Sequence, residues 1–492
     1  MSHPTNPTAQ GRDFGSARYR WYVLITLTAI YTLNFVDRAL LSVLAQPVIS
    51  TFGLTDTEFG FLAGPPFALF YALMGIPIAL AADRYNRVTI ISVCIAIWSL
   101  MTALCGFATG FLFLLIARVG VAIGEAGSTP PSNSLIGDYY RASARAKALA
   151  IFSTGVMLGN TLAYLVGGPL GQMSDDSVKA VLGIFGLAQL PEWLGWGNDY
   201  GWRFAFIALG VPGVIFALIV WLTVREPPRG YADESSTAGE KIGISATLRL
   251  LLTKRSYWHM TAGASLVAMV GYGLVSFQAP MMQRLHGMAP GEFALRFGVP
   301  LSVAGAFGTL LAGYVIDTLN KRTIRAVAIW PAITMALAAP LYILAFNQPG
   351  DRLDLALALW LLAALLHYGY LGAQYTIGQG VVPASSRASA IAIMLFIIAL
   401  VGNGLGPQIV GLMSDSFMAA ALEARGVADS LSVSACNPKA LAMLAPNDQA
   451  ICSAVYAEGL QNSMSLTALF MLPAAWFFYL SSRTLDREML AR

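Results

Sequence analysis

One stretch near the start of the chain combines residue types able to do chemistry with a place where they are costly. The apolar run from Trp21 to about Phe52 is interrupted by Asn34-Phe35-Val36-Asp37-Arg38, which sets a carboxylate beside a guanidinium. A charge in hydrocarbon costs about 2.5–3.5 kcal/mol on insertion scales, so it needs a partner, a wet cavity or a task. A second apolar run, Phe111 to Leu135, carries Arg118 and Glu125. At about 1.5 Å of helix rise per residue, Asp37 falls about 24 Å from Trp21 and Arg118 about 10 Å from the opposite entry point. In a core of roughly 30 Å these depths are similar, so an Asp37 to Arg118 ion pair is feasible. Glu125 lies two turns further on, on nearly the same face, after Gly124 and before the bend signal Pro130-Pro131.

Desolvation favours a protonated carboxyl, and an approaching arginine favours the ionised form. A movement that alternates a carboxylate between these settings converts conformation into proton affinity. Asp37 and Glu125 are therefore the expected proton-coupling pair, with Arg38 and Arg118 as their charge partners. The alternative is a static ion-pair network that fixes helix packing.

Long apolar elements must hold these groups. Of 492 residues, 57% are hydrophobic and 11% charged, against about 25% charged in soluble domains, and mean hydropathy is +0.64. Twelve membrane spans are expected, beginning near residues 21, 60, 88, 111, 146, 203, 257, 297, 324, 355, 388 and 464. The first follows a polar stretch with Arg12, Arg18 and Arg20 and is too long for a cleavable signal core, so it is expected to stay as an anchor. With the N-terminus inside, 21 of the 30 Lys and Arg residues fall in cytoplasmic segments, 7 in external ones and 2 in the membrane. From that bias both termini are expected in the cytoplasm, and the expected location is the cell's inner (plasma) membrane. The net charge of +4 then reflects topology, and no basic patch interleaved with aromatics points to nucleic acid.

The chain repeats itself. Phe52-Gly53-Leu54 with Glu58-Phe59 returns 234 residues later as His286-Gly287-Met288 with Glu292-Phe293, and Asp83, Asn86 and Arg87 become Asp317, Asn320 and Lys321 at the same offset. Gly171 to Asp175 recurs as Gly411 to Asp415, and Arg145 to Ile151 as Arg387 to Ile393. Two bundles of six helices follow, residues 1–225 and 257–492, joined by a cytoplasmic linker at 226–256 that includes a short interfacial helix at Ser245 to Arg255. In the insertion Ser174 to Tyr200, Trp193 and Trp196 suit a membrane-surface belt.

The two halves differ in their polar groups. The second has no Asp, Glu, Lys or Arg deep in a span; its polar residues there are Gln278, His367, Tyr368, Tyr370, Gln374, Tyr375 and Asn403. With Asn34 they are the expected substrate-cavity residues, a wall of hydrogen-bonding tips facing a charged one, which suits an amphiphile. His367 reads equally well as a packing histidine. Glycines around Gly155, Gly159, Gly167 and Gly168, and around Gly402, Gly404 and Gly406, are expected to allow close helix contact. Cys94 and Cys105 lie in an apolar run and read as inert packing groups. Cys436 and Cys452, in the external segment Ser416 to Ser463, are expected to pair; closing that loop is worth about 3 kcal/mol in the chain-entropy model.

With Asp83-Arg84-Tyr85-Asn86-Arg87 between helices two and three, and its second copy at Asp317 to Arg322, the chain resembles a major facilitator superfamily transporter. Asn34 to Arg38, Gly124-Glu125-Ala126 and Arg225-Glu226-Pro227, with Asp83 to Arg87, resemble the Spinster family of lipid transporters. Ala79 and Asn86 depart from the general loop pattern, where glycines are usual. The resemblance implies an all-α integral membrane protein of twelve helices, two six-helix bundles related by pseudo-twofold symmetry. It also implies transport of lysophospholipids or sphingoid phosphates. Asp83, Arg84, Arg87, Asp317 and Arg322 are the expected cytoplasmic gate, a carboxylate facing a helix end and neighbouring arginines.

The expected function is proton-coupled secondary transport of a lipid-like amphiphile by alternating access, working as a monomer with a small-molecule or lipid substrate, protons and the bilayer. A proton-coupled multidrug or organic-anion carrier is the alternative, and a non-transporting scaffold or receptor a distant one. No cofactor or metal is expected. The chain lacks HExxH, GxSxG and paired CxxC, so an enzyme is not expected.

Overall fold

A computed structural model describes residues 13–197, 199–232, 244–321 and 323–490, and among these no strand occurs. Twelve of their helices are long and apolar enough to cross a membrane: α1 (Ala17–Val43), α2 (Asp56–Arg84), α3 (Arg87–Gly106), α4 (Phe111–Tyr139), α5 (Ser143–Gly171), α6 (Tyr200–Thr223), α7 (Arg255–His286), α8 (Pro290–Asn320), α9 (Ala326–Phe346), α10 (Gly350–Gly380), α11 (Ser389–Ala424) and α12 (Pro446–Glu488). Hydropathy sets where they fall, so the expected count holds. At α12 the extent differs. The apolar run begins near residue 464, but the helix starts at Pro446, in a segment expected to be loop, because a proline at the first position starts a helix whether or not the next turns are apolar. A short helix at Ile244–Leu251 occupies the expected interfacial segment, with Thr247 and Leu251 buried and Leu248 exposed.

The described residues form two compact units. One holds the chain up to Leu40 and from Phe70 to the linker; the other holds Leu41–Leu69 and the chain after the linker. The sequence halves meet at 226–256, and the compact units part in the same region. They differ from the halves at residues 41–69, which belong to the first repeat by sequence and pack with the second.

Within each unit, helices meet where a side chain is missing. A Cβ on Gly159 of α5 would lie 2.5 Å from Phe35 Cβ and the Thr32 carbonyl of α1, and one on Gly210 of α6 would lie 2.5 Å from Ala103 N of α3. In the second unit a Cβ on Gly402 of α11 would meet Ala268 Cβ of α7 at 2.6 Å, and one on Gly406 would meet Gly273 N at 2.9 Å. Without a hydrophobic drive between helices in lipid, such close backbone contact supplies much of the attraction. The pairs α1 with α5 and α7 with α11 are the same pair in the two repeats. A π turn interrupts α5 at Ala163–Gly167 and α11 at Leu400–Leu405. The repeated glycines Gly53 and Gly287 share a local role: each ends a helix in the left-handed conformation, at φ 66° and 63°.

Where α11 ends and α12 begins, Cys436 and Cys452 form a disulfide inside a small apolar nucleus with Met418, Leu422, Leu431 and Val455. Cys94 and Cys105 are free and buried. The two tryptophans of the insertion part company. Trp193 is exposed, as a surface belt requires, but Trp196 is buried among Val178, Leu182 and Tyr200. Tryptophan content alone did not distinguish a belt residue from the core of a small lobe.

Two stability changes follow. Gly159→Leu should force α5 off α1 and cost about 1–3 kcal/mol by overpacking, seen as a lower melting temperature of the purified protein. Cys452→Ser should cost about 2–4 kcal/mol, and a non-reducing gel should show whether the pair is formed in the purified protein.

Candidate functional site

The charged residues of α1 and α4 meet in the first unit. Asn34, Asp37 and Arg38 stand three and four residues apart, hence on one side of α1. Arg38 Nε donates to Glu125 Oε2 at 2.5 Å. Its guanidinium also lies over the ring of Tyr71, 4.4 Å from the centroid, and near that of Phe35 at 5.2 Å. Arg118 Nη1 donates to the main-chain carbonyl of Asp37 at 3.4 Å. The Asp37 carboxylate is buried within electrostatic reach of both Arg118 and Glu125. Two acids and two arginines thus share one network.

The expected contact of Arg118 with Asp37 is made through the backbone. The closest charge pair joins Arg38 to Glu125, which helix-rise estimates placed at different depths. Glu125 is 0% exposed and its second oxygen, Oε1, has no hydrogen-bond partner among the described residues; Asn34 Nδ2 has none there either. An unpaired buried carboxylate oxygen is costly, so this one is open to a proton or a hydrogen-bond donor. Tyr71 escaped the sequence reading because one aromatic in an apolar run carries no distinguishing signal.

In the second unit the expected cavity residues divide. His367 is buried, with Nδ1 3.4 Å from Tyr342 Oη of α9, and a Cβ on Gly271 of α7 would lie 2.9 Å from its Nε2. It thus stands between α10, which carries it, and α7 and α9. Tyr368 fills the space over Gly305 of α8, and Tyr370 stacks on Phe478 of α12 with centroids 6.3 Å apart. Gln278 and Gln374 are buried, Asn403 is half-buried within the π turn of α11, and Tyr375 is exposed. Tyr370 is within electrostatic reach of Tyr272, Tyr368 and Tyr375. Tyr272 of α7 joins this aromatic group although nothing in the sequence set it apart.

Of the expected gate residues, Arg87 is the buried one. Its Nε meets Glu226 Oε1 at 2.6 Å, Nη1 pairs with the Asp138 carboxylate and donates to Ser134 Oγ at 2.8 Å, and Nη2 donates to the Pro227 carbonyl at 3.1 Å. Glu226 Oε2 also accepts from the backbone N–H groups of Arg87 and Val88 at 3.0 and 3.2 Å, capping α3. Arg229 Nη2 donates to the carbonyls of Ala82 and Tyr85 at the end of α2. The segment Arg225 to Gly230 thus straps α2, α3 and α4 together inside the first unit. Asp83, Arg84 and Asp317 are exposed; Arg322 lies outside the described residues.

Among the described residues no group of three or more His, Cys, Asp or Glu is placed to hold a metal ion. What the first unit offers is a half-buried arginine paired with a fully buried carboxylate.

Comparisons with known proteins show the family. The profile of the Major Facilitator Superfamily matches residues 27–407. An MFS-type efflux pump of Mycolicibacterium smegmatis is 33% identical over 408 residues, 82% of this chain and 86% of that protein. Protein spinster of Drosophila melanogaster is 24% identical over 433 residues, 84% of this chain and 65% of its own length. Among solved structures, a bacterial homologue of the human lysosomal transporter Spinster, in an inward-facing and unoccupied conformation, is 46% identical; the match covers 97% of this chain and 100% of that one, with a TM-score of 0.89. The chain belongs to the major facilitator superfamily, as a multi-pass membrane transporter of the Spinster type.

Proposed function

We propose that the chain is a proton-coupled secondary transporter of a lipid-like amphiphile, a lysophospholipid or sphingoid-type molecule, working by alternating access as a monomer in the inner membrane with both termini in the cytoplasm. The observation that carries this reading is the Arg38 to Glu125 pair, with its second carboxylate oxygen unpartnered among the described residues. Protonating Glu125 removes the charge that holds Arg38. The released guanidinium presents a planar fork suited to a phosphate or carboxylate head group. Asp37 and Arg118, in the same network, supply the second acid and a fixed positive charge. The orientation rests on the bias of 21 cytoplasmic against 7 external Lys and Arg residues.

One observation favours a second reading. The relative from Mycolicibacterium smegmatis is an efflux pump, which supports an amphiphilic drug or organic anion as cargo for the same machinery.

Proteoliposomes with an imposed pH gradient test the coupling. Fluorescent lysophosphatidylethanolamine should accumulate in wild-type vesicles, and gradient-driven accumulation should be abolished in Asp37→Asn and in Glu125→Gln protein that still folds. Full activity in both would overturn the assignment. Arg38→Lys keeps the charge but loses the planar fork, so apparent affinity should fall about tenfold, read from concentration dependence. Ethidium run in parallel distinguishes the cargo classes: transport of ethidium and not of the lysolipid would favour the drug reading.

A further inference from the structure

The insertion between α5 and α6 folds into a small lobe of its own, and one part of its surface is apolar and exposed. A short helix, Asp175–Ile184, is capped by Ser174, whose side chain accepts from the Ser177 N–H. Asp175 Oδ1 accepts from the backbone N–H of Tyr200 at 2.9 Å, which ties the start of the lobe to the start of α6. Lys179 Nζ meets Glu192 Oε1 at 2.7 Å. The lobe is thus closed at its base and braced across its middle.

Its nucleus rests on the membrane-spanning part of the first unit. Val178, Leu182, Trp196 and Tyr200 form a buried cluster, and Phe204 and Ile207 of α6 pack against it. Those two lie four and seven residues past the first residue of α6, so the contact reaches about 10 Å along that helix at about 1.5 Å per residue. Trp196 also meets Phe107, the residue after α3, with ring centroids 6.4 Å apart. Arg203 of α6 donates to the carbonyls of Gly106 and Ala108 at 3.2 and 2.5 Å. The lobe therefore lies against the ends of α3 and α6 and does not stand clear of them.

The far end of the lobe is different in kind. Gly183-Ile184-Phe185-Gly186-Leu187-Ala188 contains no polar side chain, and all six residues are exposed. Ile184 is 79% exposed and Phe185 73%, and Trp193, on the returning segment, is 74% exposed. Gly186 makes the bend at φ 72°, where any other residue would be strained, and the Leu187 N–H closes it onto the Leu182 carbonyl at 2.9 Å. An ordered backbone thus presents an apolar tip. Between Ser174 and Trp196 the charged residues are Asp175, Asp176, Lys179 and Glu192, all outside that tip. Large apolar side chains presented together mark a surface that something covers. Lipid lies beside this one: Leu112, Phe113 and Ile116, in the first turns of α4 just past Ala108, are exposed along a membrane span.

We propose that residues 183–188, with Trp193, dip into the bilayer leaflet on the side opposite the amino-terminal end of α1, and that lipid is the partner this surface fits. Five spans separate that end of α1 from the lobe, which fixes the side. Ile184 and Phe185 enter the acyl region, and Trp193 sits at the level of the head groups, where an indole finds both an apolar and a wet neighbour. Because the nucleus of the lobe is packed on α6, the inserted tip sets the depth and tilt at which α6 stands.

The test needs neither the cargo nor proton coupling, so it can fail without touching the function proposed above. The full-length protein is placed in lipid nanodiscs holding one copy each. Nitroxides are attached at Ile184→Cys, Phe185→Cys and Trp193→Cys in turn, and at Asp176→Cys, an exposed position in the first turn of the same short helix, as the wet control. Cys94 and Cys105 are buried and Cys436 is bonded to Cys452, so the label goes to the introduced thiol. Power-saturation EPR then compares collisions with oxygen, which concentrates in hydrocarbon, and with a nickel chelate, which stays in water. At 184 and 185 oxygen should dominate, at a depth of about 5–10 Å below the head-group boundary; at 193 the label should sit shallower, and at 176 nickel should dominate. Either tip position serves if the other variant fails to fold. Nickel accessibility at the tip equal to that at 176 would leave it in water and overturn the proposal. Low accessibility to both reagents would mean that protein covers the tip, and would overturn it as well.

Discussion

The organising constraint is the pairing of half-buried Arg38 with fully buried Glu125, where hydrocarbon would otherwise exclude both. Removing one partner of such a pair costs about 3–5 kcal/mol, whereas keeping both is close to neutral against an apolar core. The pair is therefore a poor choice for stability and a sensible one for a protein that must change state. Much of the first unit can be read as its support. Tyr71 and Phe35 shield the guanidinium, Arg118 adds a second positive charge beside Asp37, and the glycine contact of α5 with α1 fixes the helix that carries two of the four charges.

Most of the architecture was legible in the sequence, because a membrane imposes length and hydropathy on every spanning helix. The charged centre was legible for the complementary reason: charge is too costly in hydrocarbon to stand there without a task. The pairing inside it was less so. Helix rise fixes depth along one helix but not the azimuth of its neighbour, so Asp37 with Arg118 looked as good as Arg38 with Glu125. Among the polar groups of the second half, His367 and Tyr370 touch neighbouring helices, contacts the sequence did not reveal because polarity in a span does not say which way a side chain points.

The cluster of Asp56, Arg284 and Asp415 was hidden by its position. Asp56 and Arg284 sit at helix ends, where charges are ordinary topology signals, and they are 228 residues apart. Their burial arises only because the corner at 41–69 leaves its own repeat, which no period or motif announces. The loop motif at Asp83 to Arg87 shows the reverse. Its residues were recognised together, but Arg87 alone is buried, and its partners Asp138 and Glu226 come from α4 and the start of the linker.

That strap has a consequence for how the polypeptide can be divided. Glu226 caps α3 and Arg229 caps α2, so the first half is chemically finished only at Gly230, five residues past the point where the apolar sequence of α6 gives out. Two fragments expressed from separate genes and cut after Gly230 would each carry their own terminating groups. A cut before Arg225 would leave the amino-terminal fragment with a guanidinium at position 87 short of one carboxylate partner and with two helix ends missing their Glu226 and Arg229 contacts, and the other fragment holding the missing carboxylate.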